Sequence, residues 1–258
     1  MDCEIIVVDG MSTDGTIDIL KRYEHQIDQL IIETDEGQAD AIHKGILASS
    51  GDIIGWLNTD DVLAPGTLKK VLTTFLETDS SWIYGKGVKI TRRDEYSQFK
   101  EQSMYDTTMQ HLNLTRWYRL FQPSVFFRRS LYEDVGGINK KLNFTLDWDL
   151  FIRFQNFAKP TFLNEVLAKA HIHPKQKSNS ADTCVNLARA SEINRIIQIY
   201  SSDEYKFIFN FCYKKFCSYP ILFRLRRFSF LFLFIACIKK PSLFFNLSSL
   251  HQCMRTLL

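Results

Sequence analysis

Short apolar runs and amphipathic segments alternate along residues 4–200 of the chain. Apolar runs bounded by glycine or polar residues predict buried strands, and apolar positions three and four apart predict helices. The predicted strands are Glu4–Val8, Leu30–Ile32, Ile53–Leu57, Trp82–Gly85, Val88–Ile90, Gln122–Arg129 and Thr161–Ala168. Two predicted helices begin near Thr16 and at Asn143. The other predicted helices cover 41–49, 66–77, 130–135 and 181–200. This alternation is typical of an α/β fold.

Two adjacent carboxylates, Asp60 and Asp61, follow the predicted strand Ile53–Leu57. Ligands of open α/β sheets bind at the carboxyl ends of the strands. Two carboxylates at such an end can hold a hard divalent cation, which in turn holds phosphate. Acidic pairs after a strand also serve as turn residues or as charges at a helix start. The surrounding motifs must therefore decide between a ligand site and a turn.

A polar loop rich in glycine begins at Asp9, directly after the first predicted strand. A nucleoside bound at this sheet would lie near Asp9, while Gly10 permits close approach of a ligand. Ser12, Thr13 or Asp14 can cap the helix that follows. Lys44, on a later predicted helix, is either a phosphate or base contact or a solvated lysine.

A helix predicted to open at Asn143 carries two acidic residues near its start. Asp149 stands four residues before Arg153, so an ion pair explains it. The spacing offers no comparable structural explanation for Asp147, and the helix dipole favours its ionised form, as a general base requires. The alternative is an aspartate that only stabilises the dipole. Further along, His173 is a candidate site residue, although a lone histidine is more often structural.

Composition narrows the class of protein. The 258 residues suffice for one large domain with an extension, and a net charge of +3 does not favour nucleic acid as a partner. The six cysteines show no metal-ligand spacing, and no signal-peptide pattern opens the sequence. These features predict a cytoplasmic protein with reduced cysteines.

Aromatic and basic residues dominate the chain from Tyr205 onward. The uncharged run Phe228–Ile238 is 11 residues long, whereas a membrane span needs about 20. A longer span would bury Arg224, Arg226 and Arg227, so we predict no transmembrane helix. The tail either caps the domain that precedes it or lies at the inner face of the membrane, and its basic residues favour peripheral contact with anionic lipid. We predict a domain over 1–200 and a helical extension over 201–258.

Five motifs occur in a fixed order. They are Asp9-Gly-x-Ser-x-Asp-Gly-Thr16, Gly37-Gln-Ala-Asp40-Ala-Ile42 with Lys44-Gly45, Gly55-Trp-Leu-Asn-Thr-Asp-Asp61, Gln122-Pro-x-x-Phe-Phe-Arg128 and Asp147-Trp-Asp-Leu-x-Ile-Arg153. Over residues 4–175 this order resembles the family 2 glycosyltransferases. The resemblance implies the GT-A fold, a mixed α/β sheet flanked by helices, here with an aromatic and basic helical extension after it.

The resemblance also implies an inverting transfer of a sugar from a nucleotide-sugar, with UDP as the expected nucleotide, to a glycan or a lipid-linked acceptor. Asp61 would hold Mg²⁺ or Mn²⁺ on the donor diphosphate, Asp60 would lie nearer the ribose, and Asp147 would deprotonate the acceptor hydroxyl. The other donor contacts would come from Asp9, Ser12, Asp40, Lys44 and Gln122, and His173 would reach the diphosphate or its metal.

The sequence departs from the family pattern in two places. Members usually carry glutamate before the catalytic aspartate, and this chain carries Leu146. Members also begin with a strand and a helix that precede the strand ending at Asp9. Either the true start lies upstream of Met1, or the product is shortened and exposes unpaired backbone edges in its sheet.

Two other classes of function compete with a glycosyltransferase. One is an inactive remnant or binding module that keeps the fold without the chemistry. The other is a different α/β nucleotide enzyme, which the absence of GxxxxGK[ST] and GxGxxG motifs disfavours.

Overall fold

The computed structural model describes residues 3–91, 100–105, 120–172 and 182–203, together with positions 206, 209, 210 and 213. The chain divides into two compact units. The first contains Met1–His111 and Leu120–His173, and the second contains Leu112–Arg119 and Pro174–Leu258. The predicted boundary at residue 200 stays a prediction.

Strands and helices of the first unit alternate strictly only up to Ile54, and after that strands also follow strands directly. The strands are β1 (Ile6–Asp9), β2 (Gln29–Ile32), β3 (Ile53–Ile54), β4 (Asp61–Leu63), β5 (Trp82–Thr91), β6 (Lys100–Tyr105), β7 (Val125–Arg128) and β8 (Thr161–Ile172). The helices are α1 (Thr16–Arg22), α2 (Gln38–Ala48), α3 (Thr67–Glu77), α4 (Arg129–Asp134) and α5 (Leu146–Phe157), with 3₁₀ turns at Glu24–Gln26 and Gln122–Ser124.

The strands form one small and one large sheet. β1 and β2 pair in parallel, with Asp9 opposite Ile32 at their carboxyl ends. The larger sheet has the order β3-β7-β5-β8-β4, and β6 adds to β5. Its pairs are antiparallel except for the parallel pair of β5 and β8, so the sheet is mixed as predicted. Among the described strands, β1 hydrogen-bonds only to β2, and β3 only to β7.

The central strand β5 corrects the sequence analysis, which predicted two strands separated by glycine. It runs without a break because neighbouring side chains fill the space beside its glycines. A Cβ at Gly85 would lie 2.4 Å from Leu167 Cγ, and one at Gly87 would lie 1.8 Å from Phe121 Cδ1. These glycines therefore allow large side chains to pack against the backbone of β5, and they do not end the strand.

β3 is shorter than the predicted strand Ile53–Leu57. The chain leaves the sheet at Gly55, where the ring of Phe126 occupies the side-chain space. Trp56 then turns away and stacks on Phe151 of α5, with 5.6 Å between ring centroids. We call residues 55–61, which connect β3 to β4, the acidic loop.

The two faces of the large sheet pack against different helices. Side chains alternate along a strand, so Ile83 and Phe126 pack with Val71 and Phe75 of α3. The opposite face contacts α5, where an aromatic cluster joins strand and helix residues. Its members are Trp82, Phe127, Phe151 and Phe154, and the shortest centroid distance is 4.9 Å between Phe127 and Phe154. This buried cluster fixes the position of α5.

Two consecutive arginines at the end of β7 bind the carboxyl ends of helices. Arg129 donates to the carbonyl oxygens of Ile46 (3.0 Å), Ser49 (2.6 Å) and Gly51 (3.0 Å) after α2. Arg128 donates to the carbonyl oxygen of Phe75 in α3 (2.9 Å). The last carbonyls of a helix lack partners within the helix, and a cation is favourable there. These contacts tie both helices to the sheet.

The described part of the second unit is mainly α6 (Thr183–Tyr200), which confirms the helix predicted over 181–200. Asp182 caps it by accepting from the backbone N–H of Cys184 (2.7 Å). Ile193, Ile196 and Ile197 are buried within it. No helix among the described residues is both long and apolar enough to span a bilayer. The predicted contact of the tail with membrane falls on residues outside the described ranges, apart from a few positions up to 213.

We predict that Gly87→Ala destabilises the protein by about 1–3 kcal/mol, because the added methyl group overlaps the ring of Phe121. Urea unfolding at equilibrium measures this loss. Gly51→Ala is the matched control, since its Cβ would meet only Ile53 O at 3.6 Å. An unchanged free energy of unfolding in Gly87→Ala would contradict the close packing described for β5.

Candidate active site

The acidic loop is held against the end of β8. Asp61 begins β4 and pairs with Ala170 in antiparallel register. The carbonyl oxygen of Asp60 accepts a hydrogen bond from the backbone N–H of His171 (3.3 Å), and Nδ1 of His171 lies 3.0 Å from the same oxygen. β8 is longer than predicted, and this extension brings His171 to the acid pair.

The carboxylate of Asp61 is buried, with 8 % of the residue exposed. Burial first, and then the neighbouring charge of Asp60, raise its pKa to about 6, although Asn58 and His171 act in the opposite direction. Desolvation penalises the charged form of a carboxyl group, and a bound cation favours it. Asp61 is therefore a carboxylate that a divalent cation would stabilise.

A chain of side-chain amides reaches Asp61 through Asn58. Asn58 Nδ2 donates to Asp61 Oδ2 and to Gln122 Oε1, each at 3.2 Å. Gln122 Nε2 donates to the carbonyl oxygen of Trp56 (2.8 Å). Gln38 Nε2, at the start of α2, donates to Asn58 Oδ1 (2.9 Å). The amides thus join the acidic loop to α2 and to the turn before β7.

The loop after β1 is folded around Asp9, which is 8 % exposed. Its Oδ1 accepts from the backbone N–H of Ser12 and its Oδ2 from Ser12 Oγ, both at 2.7 Å. The carboxylate of Asp35 lies against this loop, since a Cβ at Gly10 would be 2.3 Å from Asp35 Oδ2. Asp9 and Ser12 therefore lie together at the carboxyl end of β1, beside an aspartate that the sequence analysis missed.

Asp40 and Lys44 belong to an ion-pair cluster on α2. Asp40 Oδ1 lies 3.0 Å from Lys140 Nζ, and its Oδ2 lies 3.2 Å from Lys44 Nζ. Lys44 also pairs with Glu33 (2.9 Å) and donates to the carbonyl oxygen of Thr34 (2.8 Å). The Lys140 ammonium first, and then the backbone N–H of Glu36, lower the pKa of Asp40 to about 2. The predicted donor contacts of Asp40 and Lys44 stay predictions.

Asp147 lies in the first turn of α5, as predicted, and its Oδ1 accepts from the backbone N–H of Trp148 (2.8 Å). Residues four apart share a helix face, so Asp147 lies on the same face as Phe151. Phe151 stacks on Trp56 of the acidic loop, and that face of α5 is therefore turned towards the loop. The predicted pair of Asp149 and Arg153 is confirmed at 2.7 Å.

The start of α2 meets the segment that leads into α5. A Cβ at Gly37 would lie 3.2 Å from Asn143 Oδ1, and Gln38 reaches Asn58. Gly37 has a φ of 122°, a conformation that favours glycine. Three separate segments, the start of α2, the acidic loop and the approach to α5, therefore converge at one edge of the fold.

Sequence reasoning missed three polar residues of this edge. Asn58 stood inside a recognised motif, and alternation along β8 could have pointed to His171 as well as His173. No spacing pattern singled out Asp35. His173 itself lies outside the described residues. Within the described ranges, no group of three or more His, Cys, Asp or Glu side chains is arranged to hold a metal ion.

Comparison with solved structures defines the class of fold. The structure of TarS 1-349 from S. aureus in complex with UDP-GlcNAc superimposes with a TM-score of 0.56 at 16% sequence identity, covering 76% of this chain and 62% of that one. The fold is the GT-A fold of glycosyltransferases, as the motifs predicted.

The sequence comparisons define the family. The profile of glycosyl transferase family 2 matches residues 1–136, and the chain belongs to that family. It is 28% identical over 177 residues to a PGL/p-HBAD biosynthesis glycosyltransferase of Mycobacterium bovis, covering 67% of this chain and 63% of that protein. It is also 28% identical over 188 residues to an uncharacterised glycosyltransferase of Rickettsia prowazekii, covering 69% and 57%. The chain thus spans less than two thirds of the length of these relatives.

We predict that Asp40→Asn lowers the free energy of unfolding at neutral pH, because it removes the carboxylate that Lys140 and Lys44 share. The folded-state pKa lies below the ordinary value of 3.8, at about 2, so this stabilisation is full above the unfolded-state pKa. It should disappear as pH falls from about 4 to about 2. Urea unfolding of both proteins across this range measures the difference.

The exposed Asp134→Asn is the control, and it should stay within about 0.5 kcal/mol of the wild type at neutral pH. A difference between Asp40→Asn and wild type that persists unchanged at the lowest pH would show that the ion-pair cluster does not provide the stabilisation.

Proposed function

We propose that this protein transfers a sugar from a nucleotide-sugar, with UDP as the nucleotide, to a hydroxyl group of a glycan or lipid-linked acceptor, with inversion at the anomeric carbon. The observation that carries the proposal is the buried carboxylate of Asp61, adjacent to Asp60 in a loop of a family 2 chain. Such a carboxylate is suited to a cation on a diphosphate.

The nucleoside end of the donor is assigned to the loop after β1. Asp9 and Ser12 lie there at the carboxyl end of a strand, where ligands of α/β sheets bind. The choice of UDP is supported by the similar structure of TarS, which contains UDP-GlcNAc.

The residues of the acidic loop fit a Mg²⁺ or Mn²⁺ ion. Mg²⁺ is usually bound by one or two carboxylates together with substrate phosphates and water, and Asp61 and Asp60 supply two carboxylates. The ion would supply positive charge beside the donor diphosphate. Asp61 would hold it, Asp60 would lie nearer the ribose, and His173 stays a predicted contributor.

Asp147 is assigned as the base. The acceptor oxygen forms a bond to the anomeric carbon as the bond to the nucleoside diphosphate breaks, and the acceptor proton passes to the carboxylate of Asp147. The helix dipole at the start of α5 favours the ionised carboxylate that this step needs. The buried aromatic cluster behind α5 holds the residue in place.

A lipid-linked acceptor would also explain the aromatic and basic composition of 205–258. Contact of this tail with the inner face of a membrane is a proposal that rests on the sequence alone.

We predict that Mn²⁺ strengthens the binding of UDP by the wild-type chain and that Asp61→Ala reduces this effect by at least about tenfold, because it removes a carboxylate that would hold the ion. Isothermal titration calorimetry with UDP, in Mn²⁺ and in EDTA, measures both affinities. Asp28→Ala, on the turn before β2, is the control that should keep the effect of Mn²⁺. An effect retained in Asp61→Ala would contradict the assignment.

We predict that Asp147→Asn retains UDP binding but lowers kcat by about 10²–10⁴-fold, because the amide cannot accept the acceptor proton. UDP release from UDP-GlcNAc and other UDP-sugars, with a mixed pool of glycan and lipid-linked acceptors, measures turnover. Full turnover in Asp147→Asn would contradict its role as base. A wild-type chain that binds UDP without any transfer would support a binding module instead.

A further inference from the structure

We propose that Asn58 is the positioning residue of the acidic loop and that it sets the orientation of the Asp61 carboxylate through a network that includes Gln38 and Gln122. This inference rests on the proposed function, because it concerns how Asp61 would hold a cation and a diphosphate. It assigns Gln122 a supporting role, whereas the sequence motifs implied a direct contact with the donor.

The hydrogen bonds of Asn58 define its orientation. A side-chain amide has two N–H donors and one carbonyl acceptor. Nδ2 donates two hydrogen bonds, one to Asp61 Oδ2 and one to Gln122 Oε1, each at 3.2 Å. Oδ1 accepts from Gln38 Nε2 (2.9 Å). A rotation by 180° would place the amide oxygen against the Asp61 carboxylate, so the network permits one orientation.

Gln122 is fixed in the same way. Its Nε2 donates to the carbonyl oxygen of Trp56 (2.8 Å), which leaves Oε1 facing Asn58. The ring of Trp56 stacks on Phe151 of α5. The orientation of Asn58 is therefore set by a residue before β7 and, through Trp56, by the aromatic cluster of the core.

The consequence for Asp61 is geometric. Asn58 holds Oδ2, so rotation of the carboxylate about its last torsion is restricted and the direction of Oδ1 is set. A ligand held in a defined direction costs less ordering entropy when a cation binds. Hydrogen bonds from neighbours that orient ligating carboxylates commonly change metal affinity by about 10–100-fold.

The experiment measures UDP affinity by calorimetry in Mn²⁺ and in EDTA, and the readout is the ratio of the two affinities. Asn58→Leu keeps the approximate shape of the side chain but removes its donors, and we expect the ratio to fall about tenfold. Asn164→Leu, an exposed asparagine on β8, is the matched control and should keep the wild-type ratio. Urea unfolding establishes that each variant folds.

A double-mutant cycle tests whether Asn58 acts through Asp61. In the Asp61→Ala background, Asn58→Leu should cause no further loss of the ratio, since the carboxylate that it orients is gone. Equal losses in both backgrounds would overturn the proposal. An unchanged ratio in Asn58→Leu would also overturn it. Should Asn58→Leu fail to fold, Asn58→Ser, which is too short to reach Asp61 and Gln122 together, replaces it in the cycle.

The outcomes separate this inference from the proposed function. If the ratio of the two UDP affinities falls in Asp61→Ala but not in Asn58→Leu, the assignment of the donor site stands and only the role of Asn58 is contradicted. A wild-type chain whose UDP affinity does not change with Mn²⁺ would remove the metal-assisted function, and the role of Asn58 with it.

Discussion

The close approach of the Phe121 ring to the backbone of β5 is the packing constraint on which the rest of the structure depends. It exists because Gly87 has no side chain, and a Cβ there would overlap the ring. β5 is the strand that β6, β7 and β8 all join. Since Gln122 directly follows Phe121, the position of this ring in the core also determines where the amide network around Asn58 begins. Phe121 thus belongs to the core, and the next residue, Gln122, belongs to the candidate site.

The same arrangement balances unfavourable and favourable charges. Asp61 is buried beside Asp60, and burial of a carboxylate near a like charge costs stability. The three carbonyl oxygens bound by Arg129, and the ion pairs of Asp40, are favourable interactions on α2, the helix that contributes Gln38. The unfavourable buried carboxylate of Asp61 therefore lies on a short loop, whereas the carbonyl oxygens and the Asp40 carboxylate of α2 have favourable partners. Local interactions that cost stability are common at functional sites and are offset elsewhere in the structure.

Much of the fold was predictable from local patterns. The amphipathic segments that became α3 and α6 were located within a few residues, and the i,i+4 spacing identified the pair of Asp149 and Arg153. The continuity of β5 was not predictable, because it depends on Leu167 and Phe121, which are distant in sequence. The end of β3 at Ile54 depends in the same way on Phe126.

The candidate site shows the same division. Asp9 at the end of β1 and Asp147 at the start of α5 lie where the periodicity predicted. Asp60 and Asp61 do not directly follow a strand as predicted, because β3 ends at Ile54 and Asp61 begins β4, which was not predicted. The side chains that contact these aspartates were not predictable. Asn58 bonds to Gln122 at a separation of 64 residues, and Asp35, after β2, reaches Gly10, after the neighbouring strand β1. Such contacts appear only when the topology is known.

The bonds from Arg129 to the end of α2 have a consequence for synthesis on the ribosome. They join residues separated by 78 to 83 positions in the chain. A ribosome adds roughly 5–20 residues per second, so Arg129 is made roughly 4–16 s after the carbonyl groups that it binds. The three bonds at the end of α2 can therefore form only after Arg129, directly after β7, has emerged.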